Sequence, residues 1–526
     1  QDKFVLDSSL DYRGRIPLRI STGSWRASLF IVVIEFGERL SYFGISTTLI
    51  IYLTTVLQQD VKTAARSVNY WAGVTTLMPL AGGFAADAYL GCFNTVLAST
   101  VLYVSGLLLL TLSRAVPGLK PSGSSDRVHE IVFFLAMYMV SVATGGHKPA
   151  LQSFGADQFE DDHPGERKQK MSFFNWWNFA LCCGCLLGVT VIVYVQDHVG
   201  WISADIVLTS VMASSVLVFV AGRRFYRYRR PVGSPLTPLF QVICAAFRKR
   251  GRDYPTEPES LYEVPAKHGR LLCHTPKFRF LDKAAILEGE EEEEKENPWL
   301  LATVTRVEEL KLIINMIPIW LTALPFGICI SQTSTFFIKQ STIMDRRIGH
   351  AFVVPPASIY ALSAVGMIAT VVFFDRVLVP VLRRSTGDGE RGGIGILRRI
   401  GIGMAFSAAS MAVAAAVERR RLRFSAAGGG DGGGSVLWLA PQFVIMGIGD
   451  GFALVGLQEY FYDQVPDSMR GLGIALYLSV IGAGNFLSGV LIGVVDRVTR
   501  KTGKSWFGFD LNSSRIDRFY WLLAVL

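Results

Sequence analysis

Residues 31 to 45 read IVVIEFGERLSYFGI, an apolar run that contains Glu35, Glu38 and Arg39. The residues around it, from 28 to 53, are almost wholly apolar, and about twenty such residues cross a bilayer as a helix. On insertion scales each charge at the centre of a spanning helix costs roughly 2.5 to 3.5 kcal/mol. The sequence therefore predicts a membrane helix whose charged face is turned into protein and away from lipid.

The charged residues share one helical face with an aromatic residue. Positions 35, 38, 39 and 42 have the spacing i, i+3, i+4, i+7, which places Tyr42 beside the three charges. One interpretation is an internal ion pair that only fixes helix packing. The other interpretation starts from the charge count, because two acids share one base and one carboxylate is left without a cation of its own. Such a carboxylate can exchange a proton, and we predict proton coupling here.

The rest of the chain repeats the apolar pattern. Of its 526 residues, 50% are hydrophobic and 18% are charged, and the mean hydropathy is +0.36. This composition excludes an ordinary soluble protein and predicts an all-α membrane protein. A twelfth span begins at 518, and we expect the numbering to end inside it. The other predicted spans are 28–53, 69–91, 95–113, 130–151, 171–196, 202–221, 309–338, 352–382, 400–417, 436–462 and 469–495.

Basic residues indicate the topology. GRRFYRYRRP at 222–231 follows the sixth span, and Arg383 and Arg384 follow the eighth. Under the positive-inside rule both sites are cytoplasmic, and an even number of spans then places both termini in the cytoplasm. The run ERRRLR at 418–423 would face outward and is an exception. The net charge of +9 fits membrane-surface basicity, and no basic soluble domain predicts binding to nucleic acid.

Four regions follow from these spans. We expect a cytoplasmic N-terminal segment at 1–24, a six-helix bundle at 25–221, a cytoplasmic linker at 222–308 and a second six-helix bundle at 309–526. The linker contains EGEEEEEKEN at 288–297, which is either a solvated, mobile run or a docking segment for a partner. GGGDGGGS at 428–435 lacks the Lys-Ser/Thr of a phosphate loop and predicts a flexible outer loop.

Two more ionisable residues lie inside predicted spans. Asp450 is too deep in the tenth span to reach the headgroups, so we expect it to have a cationic or polar partner. Lys148 either extends to the headgroups or faces the central cavity as a counter-charge. We interpret His147 as structural.

Four residues are predicted to line the substrate pocket: Tyr42, Asn178, Gln332 and Trp320. For Trp320, a role in helix packing is an equally good interpretation.

The cysteines do not predict a metal centre. CCGC at 182–185 lies in a predicted membrane helix, where small polarisable residues mostly serve close helix packing. We therefore predict no metal and no cofactor, with the proton as the coupling ion.

Several motifs together resemble one family. Glu35 and ERLSYFG resemble the E-x-x-E-R-x-x-Y-Y/F motif of the proton-dependent oligopeptide transporter family, and GGHKPALQSFGADQFEDD at 145–162 resembles its first signature. FFNWWNFALCCG at 173–184 is loosely similar to its second signature. Six further motifs resemble the plant nitrate and peptide transporter branch specifically: FRFLDKAA, NPW, VEELK, PPAS, DRV and PQFVIMGIGD. The resemblance extends from about Asp11 to Leu526, apart from the acidic run and the glycine-rich loop.

The resemblance implies the major facilitator fold, in which two six-helix bundles enclose a substrate near the membrane midplane and rock around it. Asp450 matches an acid that forms a salt bridge or contacts a substrate amine, and Asp87 in GGFAADAYLG matches an acid that forms a gate. The roles implied by the resemblance are proton coupling for Glu35, Glu38 and Arg39, substrate binding for Lys148, Asn178 and Asp450, and gating for Asp87.

Three residues depart from the family pattern. Cys92 and Phe93 stand where the motif between the second and third helices ends in basic residues, which weakens the expected charge network of the gate. Ile330 stands where some nitrate carriers hold the anion with histidine. Because an apolar side chain cannot donate a charge-assisted hydrogen bond, we expect an organic substrate in preference to nitrate.

These expectations describe a carrier and not an enzyme, since no nucleophile and base pair is evident. We predict a proton-coupled symporter that imports a short peptide, a hormone or a specialised-metabolite anion. The alternative is a nitrate/proton symporter, and a channel or a non-transporting receptor fits less well. The expected partners are a small-molecule substrate, protons and the bilayer, and the expected state is a monomer or a dimer. The expected location is the plasma membrane, with the vacuolar membrane as the alternative.

Overall fold

The computed structural model describes residues 3–5, 7, 9–119, 127–160, 163–229, 231, 233, 236–252, 254, 261–263, 272–287, 297–349, 352–378, 380–381, 395–427, 434–465, 470–501, 503 and 505–526. These residues are mostly helical. The main helices are α1 (Ser24–Ser46), α2 (Val61–Ala85), α3 (Cys92–Ala115), α4 (Arg127–Ala156), α5 (Pro164–Leu187), α6 (Trp201–Ala221), α7 (Val304–Ile330), α8 (Ala361–Phe373), α9 (Ile396–Ala426), α10 (Ala440–Asp463), α11 (Arg470–Lys501) and α12 (Ile516–Val525).

Shorter elements connect or extend these helices. Wider π turns continue α2, α5 and α8 at Ala86–Leu90, Gly188–Ile192 and Phe374–Leu378, and Val193–His198 completes the fifth segment. The amphipathic segment Leu236–Arg248 lies between the two halves, and we call it the linker helix. A two-stranded antiparallel sheet pairs β1 (Arg347–Ile348) with β2 (Phe352–Val353). The other short helices are Leu49–Thr55, Gly222–Arg224, Arg279–Asp282, Lys283–Ala285, Phe336–Ser341, Pro356–Tyr360 and Val436–Leu439.

Among the described residues, nine helical segments are long and apolar enough to cross a membrane. The helix α1 is not one of them because Glu35, Glu38 and Arg39 interrupt it. The helix α2 is less apolar, and α12 has ten residues. A helix that carries charges can still cross a bilayer when its neighbours bury them. The helix α1 can therefore cross the bilayer only if neighbouring helices bury its charged side chains.

The helices pack into two bundles. In the first, α1 packs against α5 and α6, α3 against α4 and α6, and α2 against α4. In the second, α10 packs against α8, α9 and α11, α9 packs against α12, and α7 packs against α11. The helix α2 of the first bundle also lies along α11 of the second. The candidate site lies between these two groups of helices.

Polar contacts join the bundles at one end. We call the end that carries the linker the linker end, and the opposite end, where α1 ends and α2 begins, the far end. At the far end Lys62 Nζ lies 3.2 Å from Asp496 Oδ2, and Arg346 Nη1 lies 2.8 Å from Asp197 Oδ2. Each of these ion pairs has one partner in each bundle, so they hold the far end closed.

The structure corrects several predicted boundaries. The first helical run breaks after Ser46, and α7 begins at Val304, inside the range assigned to the linker. The run ERRRLR lies within α9, where Glu418 and Arg421 are buried and form a two-bond ion pair at 2.7 and 2.8 Å. These two charges compensate each other, so the run is not the simple outward loop that its composition suggests. The acidic run at 288–296 and the glycines at 428–433 lie outside the described residues.

Candidate functional site

The helix α1 holds the three ionisable residues together. Glu35, Glu38 and Arg39 are 3%, 0% and 6% exposed. Arg39 Nε lies 3.3 Å from Glu35 Oε1, and Arg39 Nη2 forms an ion pair with Glu38 Oε2. Glu35 Oε2 has no hydrogen-bond partner among the described residues. One guanidinium therefore serves two buried carboxylates, and the charged face is turned into protein as the sequence predicts.

Tyr42 and Lys148 extend this cluster of charges. Arg39 Cζ lies 5.4 Å from the centroid of the Tyr42 ring, and Lys148 Nζ lies 4.9 Å from it. Trp71 stacks on the same ring at 5.8 Å. An ammonium or guanidinium within about 6 Å of a ring is attracted by its electron-rich face. Lys148 is thus directed toward the α1 acids, and the counter-charge interpretation fits its position better than extension to the headgroups.

A close approach of α5 positions the cluster. A Cβ atom on Gly184 would lie 2.8 Å from Arg39 Cβ, so any larger residue there would push α1 and α5 apart. Thr144 of α4 donates a hydrogen bond to Glu38 Oε1 at 3.4 Å. The glycine of CCGC therefore serves helix packing at the charged face, which is the role predicted for that motif.

His147 lies next to the acids. It is fully buried, and neither ring nitrogen has a hydrogen-bond partner among the described residues. One ligand atom from each of Glu35, Glu38 and His147 lies within 4.8 Å of the others, close enough for a metal ion. Arg39 already pairs with both carboxylates and would repel a cation, so we assign no metal to them. Buried polar groups are normally hydrogen-bonded, and the described residues offer the His147 ring no such partner. A purely structural role for His147 therefore stays a prediction.

The second bundle contributes a single acid, Asp450 of α10. Its Oδ1 atom is buried without a hydrogen-bond partner, and within the described part of the chain it forms no ion pair. The cationic or polar partner that the sequence predicts is therefore not found for this atom among these residues. An unpaired carboxylate in these surroundings can accept a cationic group from a ligand.

Tyr360 was not predicted as a site residue, although the turn that it ends contacts both bundles. This turn, Pro356–Tyr360, packs against α10 of the second bundle and against the π turn Gly188–Ile192 of the first. Ser358 of the same turn donates a hydrogen bond to the Val189 carbonyl at 2.8 Å. The sequence offers only an indirect signal, since the proline in PPAS marks the start of a helix without indicating what that helix contacts.

Two predicted pocket residues take part in helix contacts. Gln332 is fully buried, and its Nε2 donates to Ser488 Oγ at 3.1 Å. Asn69 of the first bundle donates to the same oxygen at 3.0 Å. Gln332 therefore belongs to the contact between bundles near the far end. Trp320 Nε1 donates to Ser479 Oγ at 2.7 Å, which ties α7 to α11 and agrees with the packing interpretation.

The remaining predicted residues lie farther from the charges. Ile330 ends α7 and packs against apolar neighbours of the second bundle. Asn178 is exposed on α5, two helical turns before Cys185. The exposed Asp87 forms no ion pair with any residue that the structure describes, while Phe93 stacks on aromatic side chains, including Phe219 at 5.4 Å. Phe93 thus packs in an aromatic cluster at the position where the family pattern has a basic residue.

Comparisons with known proteins agree on one family. A family model described as POT family matches residues 93–507. Two proteins from Arabidopsis thaliana, Protein NRT1/PTR FAMILY 5.6 and Protein NRT1/PTR FAMILY 5.7, are each 58% identical to this chain. Their alignments cover all of this chain and 92% and 90% of the relatives. The crystal structure of an auto-inhibited POT family peptide transporter is 19% identical, with a TM-score of 0.71 over 95% of each chain.

Proposed function

Since this chain belongs to the POT family of membrane transporters, in its plant NRT1/PTR branch, we propose that it is a proton-coupled symporter that carries a small organic solute inward. Membership confirms a transporter and not an enzyme, and the structural likeness confirms the major facilitator fold of a multi-pass membrane protein. The coupling, the substrate, the membrane and the orientation belong to the proposal.

The observation that carries the proposal is the charge count around Arg39. Two buried carboxylates, the buried Arg39 and the partly buried Lys148 lie in one cluster, so their formal charges balance. When a proton arrives on Glu35 or Glu38, the cluster gains one positive charge. That charge attracts the negative group of a substrate. With a zwitterionic solute one net positive charge crosses in each cycle, and 100 mV supplies about 2.3 kcal/mol, whereas with a monoanion the charges cancel and the pH difference alone drives uptake.

The second bundle supplies the contact that selects the substrate. Asp450 Oδ1 is buried and unpaired among the described residues, so the amino group of a substrate would satisfy it. A solute with one anionic and one cationic group would reach both bundles and favour their closure. Short peptides fit this pattern, while a hormone or specialised-metabolite anion would use the first bundle alone. Ile330 offers no donor to nitrate, which makes nitrate the second candidate.

Alternating access gives the two ends different roles. The ion pairs Lys62–Asp496 and Arg346–Asp197 close the far end in this conformation. With both termini in the cytoplasm, as the basic residues near the membrane predict, the far end is the outer gate. We place the carrier in the plasma membrane, with the vacuolar membrane as the alternative, and take the monomer as the transporting unit, with a dimer as the alternative.

Uptake measurements in oocytes test the proposal. The screen uses short peptides, a plant hormone, a specialised-metabolite anion and nitrate, each at acidic and neutral external pH and with a protonophore. We expect saturable, acid-stimulated uptake of one organic class and its collapse with the protonophore. An uptake rate that is the same at acidic and neutral external pH would refute proton coupling. Acid-driven uptake of nitrate alone would support the second candidate, and flux far above carrier rates would indicate a channel.

A further inference from the structure

The linker carries an apolar surface that no described residue covers. Phe240, Ile243 and Phe247 project from the linker helix and are 59%, 47% and 66% exposed, and Phe280 beside them is 60% exposed. Another side of the same helix is buried, with Leu239, Val242, Ala245 and Ala246 in the hydrophobic core that continues into the second bundle. The helix is therefore apolar on two sides, and only one of these sides packs against protein.

The exposed side continues the surface of a membrane helix. Ile314 of α7 lines a groove of about 380 Å³ together with Ile243, Phe247 and Phe280. Farther along α7, Ile317 and Leu321 are 47% and 53% exposed at the spacing i+3 and i+7 from Ile314. This spacing places them on one helical face. An apolar strip thus extends from the membrane-spanning part of α7 onto the linker.

Two cations stand at the edge of the groove. Arg250 Cζ lies 4.6 Å from the centroid of the Phe247 ring, and Lys283 Nζ donates a hydrogen bond to the Arg250 carbonyl at 2.8 Å. Both residues line the groove. Their positive charges complement the phosphate of an anionic lipid, and the apolar floor complements an acyl chain. We propose that this groove binds an anionic phospholipid of the leaflet on the linker side.

The linker is fixed to α7 where the groove meets it. Lys311 Nζ lies 2.6 Å from Asp282 Oδ1 and 2.7 Å from Glu308 Oε1. Thr275 adds two hydrogen bonds to Glu308, at 2.9 Å from its amide and 2.7 Å from its hydroxyl. A lipid in the groove would therefore be held against the second bundle and not on a loose segment. The inference does not depend on the identity of the transported solute.

Photocrosslinking of the full-length protein tests this site. Phe247 is replaced by benzoylphenylalanine, and the protein is reconstituted into nanodiscs of phosphatidylcholine mixed with an equal amount of phosphatidylserine. Mass spectrometry then identifies the adducts after irradiation. We expect phospholipid adducts in which phosphatidylserine is enriched about 25-fold, because each basic residue near an anionic surface contributes about fivefold.

Charge variants distinguish the groove from general membrane basicity. Arg250→Gln combined with Lys283→Gln should reduce the phosphatidylserine enrichment to near unity while lipid adducts persist. The matched control is Arg224→Gln combined with Arg398→Gln, two exposed arginines elsewhere at the linker end, and it should keep the enrichment. Adducts only to this chain would show that another segment covers the groove, and adducts only to a copurified protein would indicate a protein partner. Either result, or equal loss in both double variants, would overturn the proposal.

Discussion

The two bundles hold their buried charges in different ways. In the first, Arg39 pairs with Glu35 and Glu38, and Lys148 lies nearby over the Tyr42 ring. In the second, Asp450 is buried without an ion pair among the described residues. Burying an ion costs several kcal/mol unless a partner of opposite charge compensates it. The first cluster therefore contains charges of both signs within one bundle, whereas in the second, as we propose, a cationic group of the substrate compensates Asp450.

This difference separates two tasks in one carrier. A cluster with several mutually paired charges can take up one proton and rearrange its pairs without exposing an isolated charge. An unpaired carboxylate can form a charge-assisted hydrogen bond to a cationic group of a solute. Solutes that lack this group bind less tightly, because the carboxylate then stays unpaired. Under the proposed function, the first bundle handles the proton and the negative group of the substrate, and the second bundle selects substrates with an amino group. Four experiments test this division.

The largest expected effect is the loss of proton-driven accumulation in Glu38→Gln. The amide keeps the shape of the side chain but cannot cycle between charged and neutral forms, so the pH difference should no longer concentrate the substrate. Exchange of labelled for unlabelled substrate should persist. Both are measured in proteoliposomes with an imposed pH gradient. Glu459→Gln is the matched control, because Glu459 pairs with Arg399 away from the cluster. Full accumulation by Glu38→Gln would refute the division of tasks.

The second expected effect concerns stability. Arg39→Gln leaves two carboxylates buried without their guanidinium and should lower the free energy of unfolding by about 3–5 kcal/mol. Asp450→Asn removes a charge that has no ion-pair partner among the described residues, so it should not lower the free energy of unfolding. Thermal unfolding of the purified proteins in one detergent compares the variants. Equal losses in both would mean that Asp450 has a structural partner and that the contrast between the bundles is wrong.

The third expected effect concerns substrate choice. Asp450→Asn should weaken apparent affinity for substrates with an amino group by about tenfold or more, because a hydrogen bond to a charged group contributes about 1.5–3 kcal/mol. Purely anionic substrates should bind nearly as before. Competition against a labelled substrate measures both classes in the same cells. An equal loss for the two classes would count against the proposed role of Asp450.

The smallest expected effect comes from the far end. Lys62→Gln breaks the ion pair to Asp496, which is partly exposed and so contributes no more than about 1 kcal/mol. Opening the far end more often should change proton-driven uptake and substrate affinity together by less than about fivefold, because both regions share one pathway. Arg347→Gln, an exposed arginine of β1, serves as the control. A change in only one of the two quantities would show that the regions do not respond to the same gate.

The charged face of α1 was largely predictable, and its partners were not. Helical spacing alone places Glu35, Glu38, Arg39 and Tyr42 together, since that geometry is local to one helix. The position of Lys148 depends on how α4 packs against α1, and local spacing left two interpretations open. Tyr360 was missed because the turn that it ends contacts segments of both bundles that are far apart in the sequence.

Two expectations about charged residues depended on the packed structure. ERRRLR was predicted to follow the ninth span and to face outward, and it lies within α9, where Glu418 and Arg421 pair. Asp450 was expected to have a cationic or polar partner, and the described residues supply none for its Oδ1 atom. In α9 the packed structure itself brings the two opposite charges together. For Asp450 we propose that the bound ligand supplies the opposite charge.

Composition and helical periodicity were sufficient to establish a membrane protein of many helices and a buried ionisable face on the first one, because hydrophobicity and helix geometry act over a few turns of chain. The packing of distant helices decided that one guanidinium serves two acids, that Lys148 joins them and that Asp450 has no ion-pair partner among the described residues. These outcomes depend on distances of a few ångströms between side chains on separate helices, and Coulomb energies change steeply over such distances.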